Sequence, residues 1–129
     1  MWSIRTGRKM SVRLQIEDKP GYLKARFTGA CAKEEVEQHF KSLARKCKSS
    51  KKNKLLLDFT EVPLDISLVD IYELGRMTLV FAQYACKVSA VCKPERHDSQ
   101  RFLETVAQNR WVELRVFTNV GDAIEWLLK

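Results

Sequence analysis

The chain has 129 residues, a length that suits one domain with a core of its own, and it carries a net charge of +7. Hydrophobic residues make up 45% of the sequence and charged residues 30%, which is a globular rather than a disordered composition. No apolar run reaches the roughly 18 residues that a transmembrane helix needs, so the sequence predicts a soluble protein without a membrane-spanning segment.

The positive charge is concentrated in the first half of the chain. Residues 1–54 contain 15 basic and 5 acidic side chains, whereas residues 55–129 contain 8 basic and 11 acidic ones. The candidate basic surface within this excess comprises Lys48, Lys51, Lys52 and Lys54. Contact with phosphates or an anionic membrane is one interpretation of such a cluster, and a solvated helix end is the other. No aromatic residue interrupts the run, so nucleic acid is not an expected partner.

The four cysteines indicate a reducing environment. Cys31, Cys47, Cys86 and Cys92 form no C-x-x-C pair and have no histidine at zinc-binding spacing. We expect buried, reduced thiols and therefore a cytoplasmic protein without a bound metal. The sequence also lacks the glycine-rich phosphate loops and the G-x-S-x-G nucleophile elbow, so it predicts no cofactor, no catalytic residue and no enzyme.

In chain order, the pattern begins with a tail and a hairpin. Residues 1–10 are basic and aperiodic, and they are predicted to form a tail before a single domain of residues 11–129. Residues 12–17 alternate apolar and polar side chains, which is typical of a half-buried strand. A turn around Pro20-Gly21 leads into a second strand at residues 22–28, so the two strands are predicted to pair antiparallel.

Helices and strands alternate after the hairpin. The remaining predicted elements are a helix at 33–48, a buried strand at 55–59, a helix at 67–84, a strand at 87–92, a helix from 98 to 109, a strand at 112–117 and a helix at 122–128. Strands that are separated by helices imply parallel pairing with right-handed crossovers. The predicted fold class is therefore α/β, in the order β-β-α-β-α-β-α-β-α, with one mixed, mainly parallel sheet of about five strands.

The second predicted helix is unusually apolar, since residues 77–82 present apolar side chains on almost every side. A helix of this kind is sandwiched in a core, lies at a subunit interface or borders an apolar ligand. The candidate apolar interface or ligand pocket comprises Leu74, Met77, Val80 and Phe81. A homodimer and a small apolar ligand therefore both remain open.

The loop between the buried strand and this helix is acidic. Asp58, Glu61 and Asp65 precede Ser67 at the predicted helix start. Acidic groups at the end of a parallel strand are candidates for binding a metal, but they also cap turns and helix N-termini, and we favour capping.

The element order, the segment 55–62 and the ending Val116-Phe117-Thr118 with Ala123 to Leu127 resemble a STAS domain. More narrowly, they are similar to the bacterial standalone proteins of the SpoIIAA-like, anti-sigma factor antagonist-like family. The resemblance covers residues 11–128 and implies a SpoIIAA-like fold and a non-enzymatic, regulatory module that binds a protein partner. The broader fold also includes proteins that bind lipids or other apolar ligands, which is the alternative function.

The resemblance also implies a phospho-switch. Members carry an Asp-Ser-Ser-Gly motif at the start of the second helix, where a partner kinase phosphorylates a serine and the added charge blocks binding. Asp65 and Ser67 match the aspartate and the switch serine of this motif, whereas Ile66 and Leu68 differ from it. The candidate phospho-switch or partner loop therefore comprises Asp58, Asp65 and Ser67.

Overall fold

The structure is a computed structural model that describes residues 13–29, 33–62, 68–82 and 87–129. The predicted basic tail at residues 1–10 lies outside these ranges, as do Asp65 and Ser67 of the acidic loop.

Strands and helices alternate after an initial hairpin. The elements are β1 (Arg13–Lys19), β2 (Tyr22–Thr28), α1 (Lys33–Ser50), β3 (Lys54–Glu61), α2 (Leu68–Met77), α3 (Leu79–Ala82), β4 (Lys87–Val91), α4 (His97–Gln108), β5 (Glu113–Phe117) and α5 (Val120–Leu127). β1 and β2 pair antiparallel, and β2 to β5 pair parallel. These strands form one sheet in the order β1-β2-β3-β4-β5, which confirms the predicted α/β class and the mixed, mainly parallel sheet.

The apolar run in β3 is buried on both faces of the sheet, as its sequence predicts. Leu55 and Leu57 belong to the larger core, which also contains side chains of α1, α2, α3 and α4. Leu56 points to the opposite face and packs with Ala123 and Leu127 of α5. Burial of each leucine contributes about 1.5–3 kcal/mol to folding, so β3 ties the two helical layers together.

The second helix is not continuous, and the prediction of one helix over residues 67–84 is wrong at Thr78. Thr78 is fully buried, and its hydroxyl donates to the carbonyl oxygen of Gly75 at 2.6 Å. Its backbone N–H is shared between the carbonyl oxygens of Leu74 and Gly75, both at 3.2 Å. Local bonds of this kind compete with the regular helix ladder, so the chain ends α2 at Met77 and restarts as the short α3.

β1 is more exposed than its alternating sequence predicts, because it forms an edge of the sheet. Leu14 is partly buried against the larger core, but Ile16 is 39% exposed. The hairpin end of β1 is fixed to the α1–β3 loop, where Lys52 Nζ contacts the carboxylate of Asp18 and donates to the carbonyl oxygen of Lys19.

Candidate functional site

The parallel strands give the molecule two distinct ends. The carboxyl end is where β3, β4 and β5 finish, and it carries Asp58 and Glu61. The amino end is where these strands begin, and it carries Lys54, Lys87 and Glu113 in register on neighbouring strands. In α/β sheets ligands are commonly bound beyond the carboxyl ends of the strands.

Asp58 organises the turn at the carboxyl end. Its side chain is buried, with the residue only 4% exposed. Oδ1 accepts hydrogen bonds from the backbone N–H of Thr60 at 2.9 Å and from the Thr60 hydroxyl at 2.6 Å. An aspartate that bonds the backbone two residues ahead holds a turn, so Asp58 shapes the start of the acidic loop.

Arg26 of β2 lies between two carboxylates at this end. Its Nε is 3.8 Å from Oδ2 of Asp58, and its Nη1 is 3.6 Å from Oε2 of Glu61. Both distances exceed a good hydrogen bond, and Nε is buried without a hydrogen-bond partner. The register of β2 against β3 shifts at this point, between Arg26 and Thr28. The guanidinium of Arg26 therefore forms only long ion pairs with Asp58 and Glu61, and the carboxylate of Glu61 remains exposed.

The candidate apolar residues lie in or against the core. Leu74 and Phe81 are buried, and the ring centroid of Phe81 lies 5.2 Å from that of Phe40 in α1. Met77 and Val80 are partly buried against the same core. Tyr72 and Leu79 of the same region are exposed to solvent.

The candidate basic surface is assembled at the amino end. Lys51 is exposed and Lys52 and Lys54 are half-buried just before and at the start of β3, while the exposed Lys48 lies in the last turn of α1. Lys54 is aligned with Lys87 on the neighbouring β4. The fold thus places Lys87 beside a cluster that is more than 30 residues away in the chain.

Lys87 also contacts α5. Its Nζ donates to the carbonyl oxygen of Trp126 at 2.8 Å and lies 4.4 Å from the centroid of the Trp126 ring. The ring of Phe117 lies 5.8 Å from the same indole. A cation in this position stabilises the last turn of α5, whose carbonyl groups carry partial negative charge.

Trp111 is the most conspicuous aromatic residue of the amino end. It is 91% exposed, and its φ of 66° places a bulky residue in the left-handed region. The turn is a Schellman motif: Val112 N–H donates to the carbonyl oxygen of Ala107 and Trp111 N–H to that of Gln108, both at 3.1 Å. Glycine is the usual residue at this position, so the exposed indole is carried on a strained, hydrogen-bonded turn.

An open groove with a volume of about 440 Å³ runs from Trp111 along the start of β5 to Trp126. Gln108, Glu113 and Arg115 supply polar groups to its lining. Two indoles with a few polar side chains suit a segment of another protein, since tryptophan combines a large contact area with a hydrogen-bond donor.

Sequence reasoning did not identify Trp111. The only available signal was a tryptophan between a helical pattern and an alternating strand, where a turn residue would be expected. Asp58 is the one member of the predicted phospho-switch or partner loop that lies within the described residues. It is at the carboxyl end of the sheet, opposite Trp111.

Within the described ranges, no group of three or more His, Cys, Asp or Glu side chains is arranged to hold a metal ion. None of the helices in these ranges is long and apolar enough to cross a membrane.

Comparison with known proteins identifies the fold. No protein-family model and no curated protein sequence matches the chain. An anti-sigma factor antagonist from Mycobacterium paratuberculosis superimposes with a TM-score of 0.61 and 13% identity, over 92% of this chain and 96% of that one. An uncharacterised DUF3478-family protein with a SpoIIAA-like fold from Shewanella loihica PV-4 gives a TM-score of 0.54 and 21% identity, over 90% and 93%. The chain therefore has the SpoIIAA-like fold of STAS domains.

Proposed function

We propose that this protein is a non-catalytic, regulatory interaction module whose amino end binds an acidic segment of a protein partner. The observation that carries the proposal is Trp111, which is 91% exposed on a strained turn beside an open groove. Strain of this kind is retained where the surrounding structure fixes it, and it is concentrated at ligand-binding positions. Exposed tryptophans also dominate the binding energy of many protein interfaces.

The charge of the amino end selects the kind of partner. Lys51, Lys54 and Lys87 lie at the same end of the sheet as Trp111, whereas Asp58 and Glu61 lie at the opposite end. Complementary charge steers association and orients a partner more than it adds affinity. An acidic segment is therefore drawn to the lysines, and an aromatic or aliphatic side chain of that segment fills the groove between Trp111 and Trp126.

The fold is consistent with this role. The Mycobacterium paratuberculosis protein of the same fold is named an anti-sigma factor antagonist, which is a name for a protein that acts on another protein. The cytoplasm is the compartment that we propose for the interaction, because Cys92 is a free and buried thiol.

A photo-crosslinking amino acid at position 111, introduced in living cells of the source organism, tests the proposal. The matched control is the same amino acid at Asp122, an exposed residue in the first turn of α5 at the carboxyl end. We expect one defined adduct from position 111 and none from position 122. Equal adducts from both positions, or none from position 111, would count against docking at the amino end.

The second part of the test measures the affinity of the purified chain for the partner that crosslinking has identified. Trp111→Ala should weaken the affinity at least tenfold, as truncation of a central tryptophan does at other interfaces. The double change K51E/K54E should slow association and reduce its salt dependence, while Asp122→Ala should change neither. An affinity that is insensitive to Trp111→Ala would refute the proposed site.

A further inference from the structure

We infer that two copies of this chain form a symmetric dimer by pairing their β1 strands antiparallel, centred on Gln15. This interaction surface lies at the β1 edge of the sheet, away from the groove beside β5, so it stands independently of the proposed function.

The two edges of the sheet differ in whether side chains bond their outward backbone groups. At the β5 edge, two side chains of α4 bond the outward backbone groups: Gln108 Nε2 donates to the carbonyl oxygen of Leu114 at 3.2 Å, and Glu104 Oε2 accepts from Val116 N–H at 2.8 Å. β1 is a seven-residue strand with five exposed residues. Among the described residues, no side chain bonds the outward backbone groups of Leu14 or Ile16. An edge of this length that the described residues leave uncovered is a template for another strand.

The hairpin fixes which groups of β1 face outward. Lys19 and Tyr22 flank a two-residue turn and therefore form a hydrogen-bonded pair. Since the direction of the backbone groups alternates along a strand, those of Leu14, Ile16 and Asp18 point away from β2. A second strand must form its hydrogen bonds with these three residues.

The side chains then select the register. With the two-fold axis at Gln15, Arg13 lies opposite Glu17 of the second copy, and Leu14 lies opposite Ile16 of the second copy. Symmetry produces each pair twice, giving two opposite-charge pairs on one face and two apolar pairs on the other. With the axis moved to Ile16, Arg13 would face a like charge at Lys19 and Leu14 would face Asp18. The charged side chains therefore favour the register centred on Gln15 over the register centred on Ile16.

The apolar pairs cover an exposed hydrophobic side chain. Ile16 is 39% exposed, and Leu14 already packs partly against the larger core. In the dimer, Leu14 of one copy shields Ile16 of the other and continues the core across the two-fold axis. The two sheets join into one sheet of ten strands, twice the five of a single chain.

Charge reversal of the paired residues tests the dimer by sedimentation equilibrium. Arg13→Glu and Glu17→Arg each replace two opposite-charge pairs by two like-charge pairs, so each variant alone should dimerise about tenfold more weakly than the wild type. An equimolar mixture of the two variants restores both opposite-charge pairs in the heterodimer and should regain wild-type affinity. The double variant R13E/E17R should regain it as well.

The mixture separates pairing from folding, because mixing cannot repair a folding defect in either variant. Arg115→Glu on the opposite edge strand is the matched control and should leave dimerisation unchanged. A wild-type protein that stays monomeric at the highest attainable concentration would overturn the inference. A mixture that dimerises no better than the separate variants would overturn it too.

Discussion

Gly75 of α2 and Val106 of α4 lie so close together that position 75 has no room for a side chain. A Cβ atom on Gly75 would lie 2.6 Å from Cγ1 and 2.7 Å from Cβ of Val106. Val106 is buried and β-branched, so it has no flexible end that moves aside. The absence of a side chain at residue 75 is therefore what allows the two helices to approach each other.

The change Gly75→Ala should lower the free energy of unfolding by about 1–3 kcal/mol, because it overpacks this contact. The helix propensity of alanine acts in the opposite direction by about 1 kcal/mol. The change Val106→Gly removes both atoms that a Cβ at position 75 would meet, so Gly75→Ala should be neutral or stabilising in that background. Urea unfolding of all four proteins measures the coupling, and an equal loss in both backgrounds would contradict it.

Trp111 and Lys51 occupy equivalent positions at the ends of α4 and α1. Their φ angles are 66° and 60°, and each follows its helix in a Schellman motif. Glycine adopts this conformation without steric cost, so W111G and K51G should each raise the free energy of unfolding by roughly 1 kcal/mol. Thermal unfolding measures this gain.

The same two variants separate stability from binding. W111G should lose affinity for the partner although it is more stable, whereas K51G should keep most of the affinity. A loss of stability in W111G would mean that the indole contributes packing, which is the opposite of what its exposure indicates.

Cys92 makes the stability depend on pH at the alkaline end. Burial raises the pKa of its thiol from 9.0 to about 11. The folded state thus favours the neutral thiol, and this contribution is complete below pH 9.0 and is lost as the pH rises toward 11. Urea unfolding between these values should show a steeper loss for the wild type than for Cys92→Ala. Parallel curves for the two proteins would show that Cys92 does not titrate differently on unfolding.

Ser67 provides a test of where the partner binds. In the sequence it is the residue before α2, and it follows the last residue of β3 by six positions. β3 finishes at the carboxyl end of the sheet, opposite Trp111. If the partner binds the amino end, the change Ser67→Asp should alter the affinity less than twofold, the same as Ser67→Asn. A large loss with aspartate alone, measured by calorimetry, would instead favour the switch that the family resemblance implies.

The sequence was sufficient to predict the sheet because its signals are local and periodic. The run Leu55–Leu57 predicts a strand buried on both sides, and the turn around Gly21 predicts the hairpin, whose glycine has a φ of 86°. The break at Thr78 was not predictable in the same way. It depends on a hydroxyl that bonds backward to Gly75 inside a core that only the folded chain creates.

The candidate site shows the same limit. Asp58 is visible in the sequence as an acidic residue at a strand end, and in the structure its carboxylate accepts a hydrogen bond from Thr60 N–H in the turn. Its role in a partner loop stays a prediction. Trp111 was missed because its exposure and left-handed backbone contradict what its residue type suggests. Lys54 and Lys87 are neighbours only because β3 pairs with β4, and this pairing is not visible in either segment alone.

The bonds from Glu104 and Gln108 to β5 have a consequence for assembly beyond the single chain. Each copy has one edge, β1, at which we infer pairing with a second copy, and one edge, β5, at which two backbone groups are bonded by side chains of α4. If two copies pair through β1, the outer edges of the joined sheet are the two β5 strands, where α4 bonds one backbone group of Leu114 and one of Val116. In the proposed dimer, these two bonds from α4 would oppose the addition of a further strand at β5, so we expect assembly to end at two copies rather than to continue into fibres.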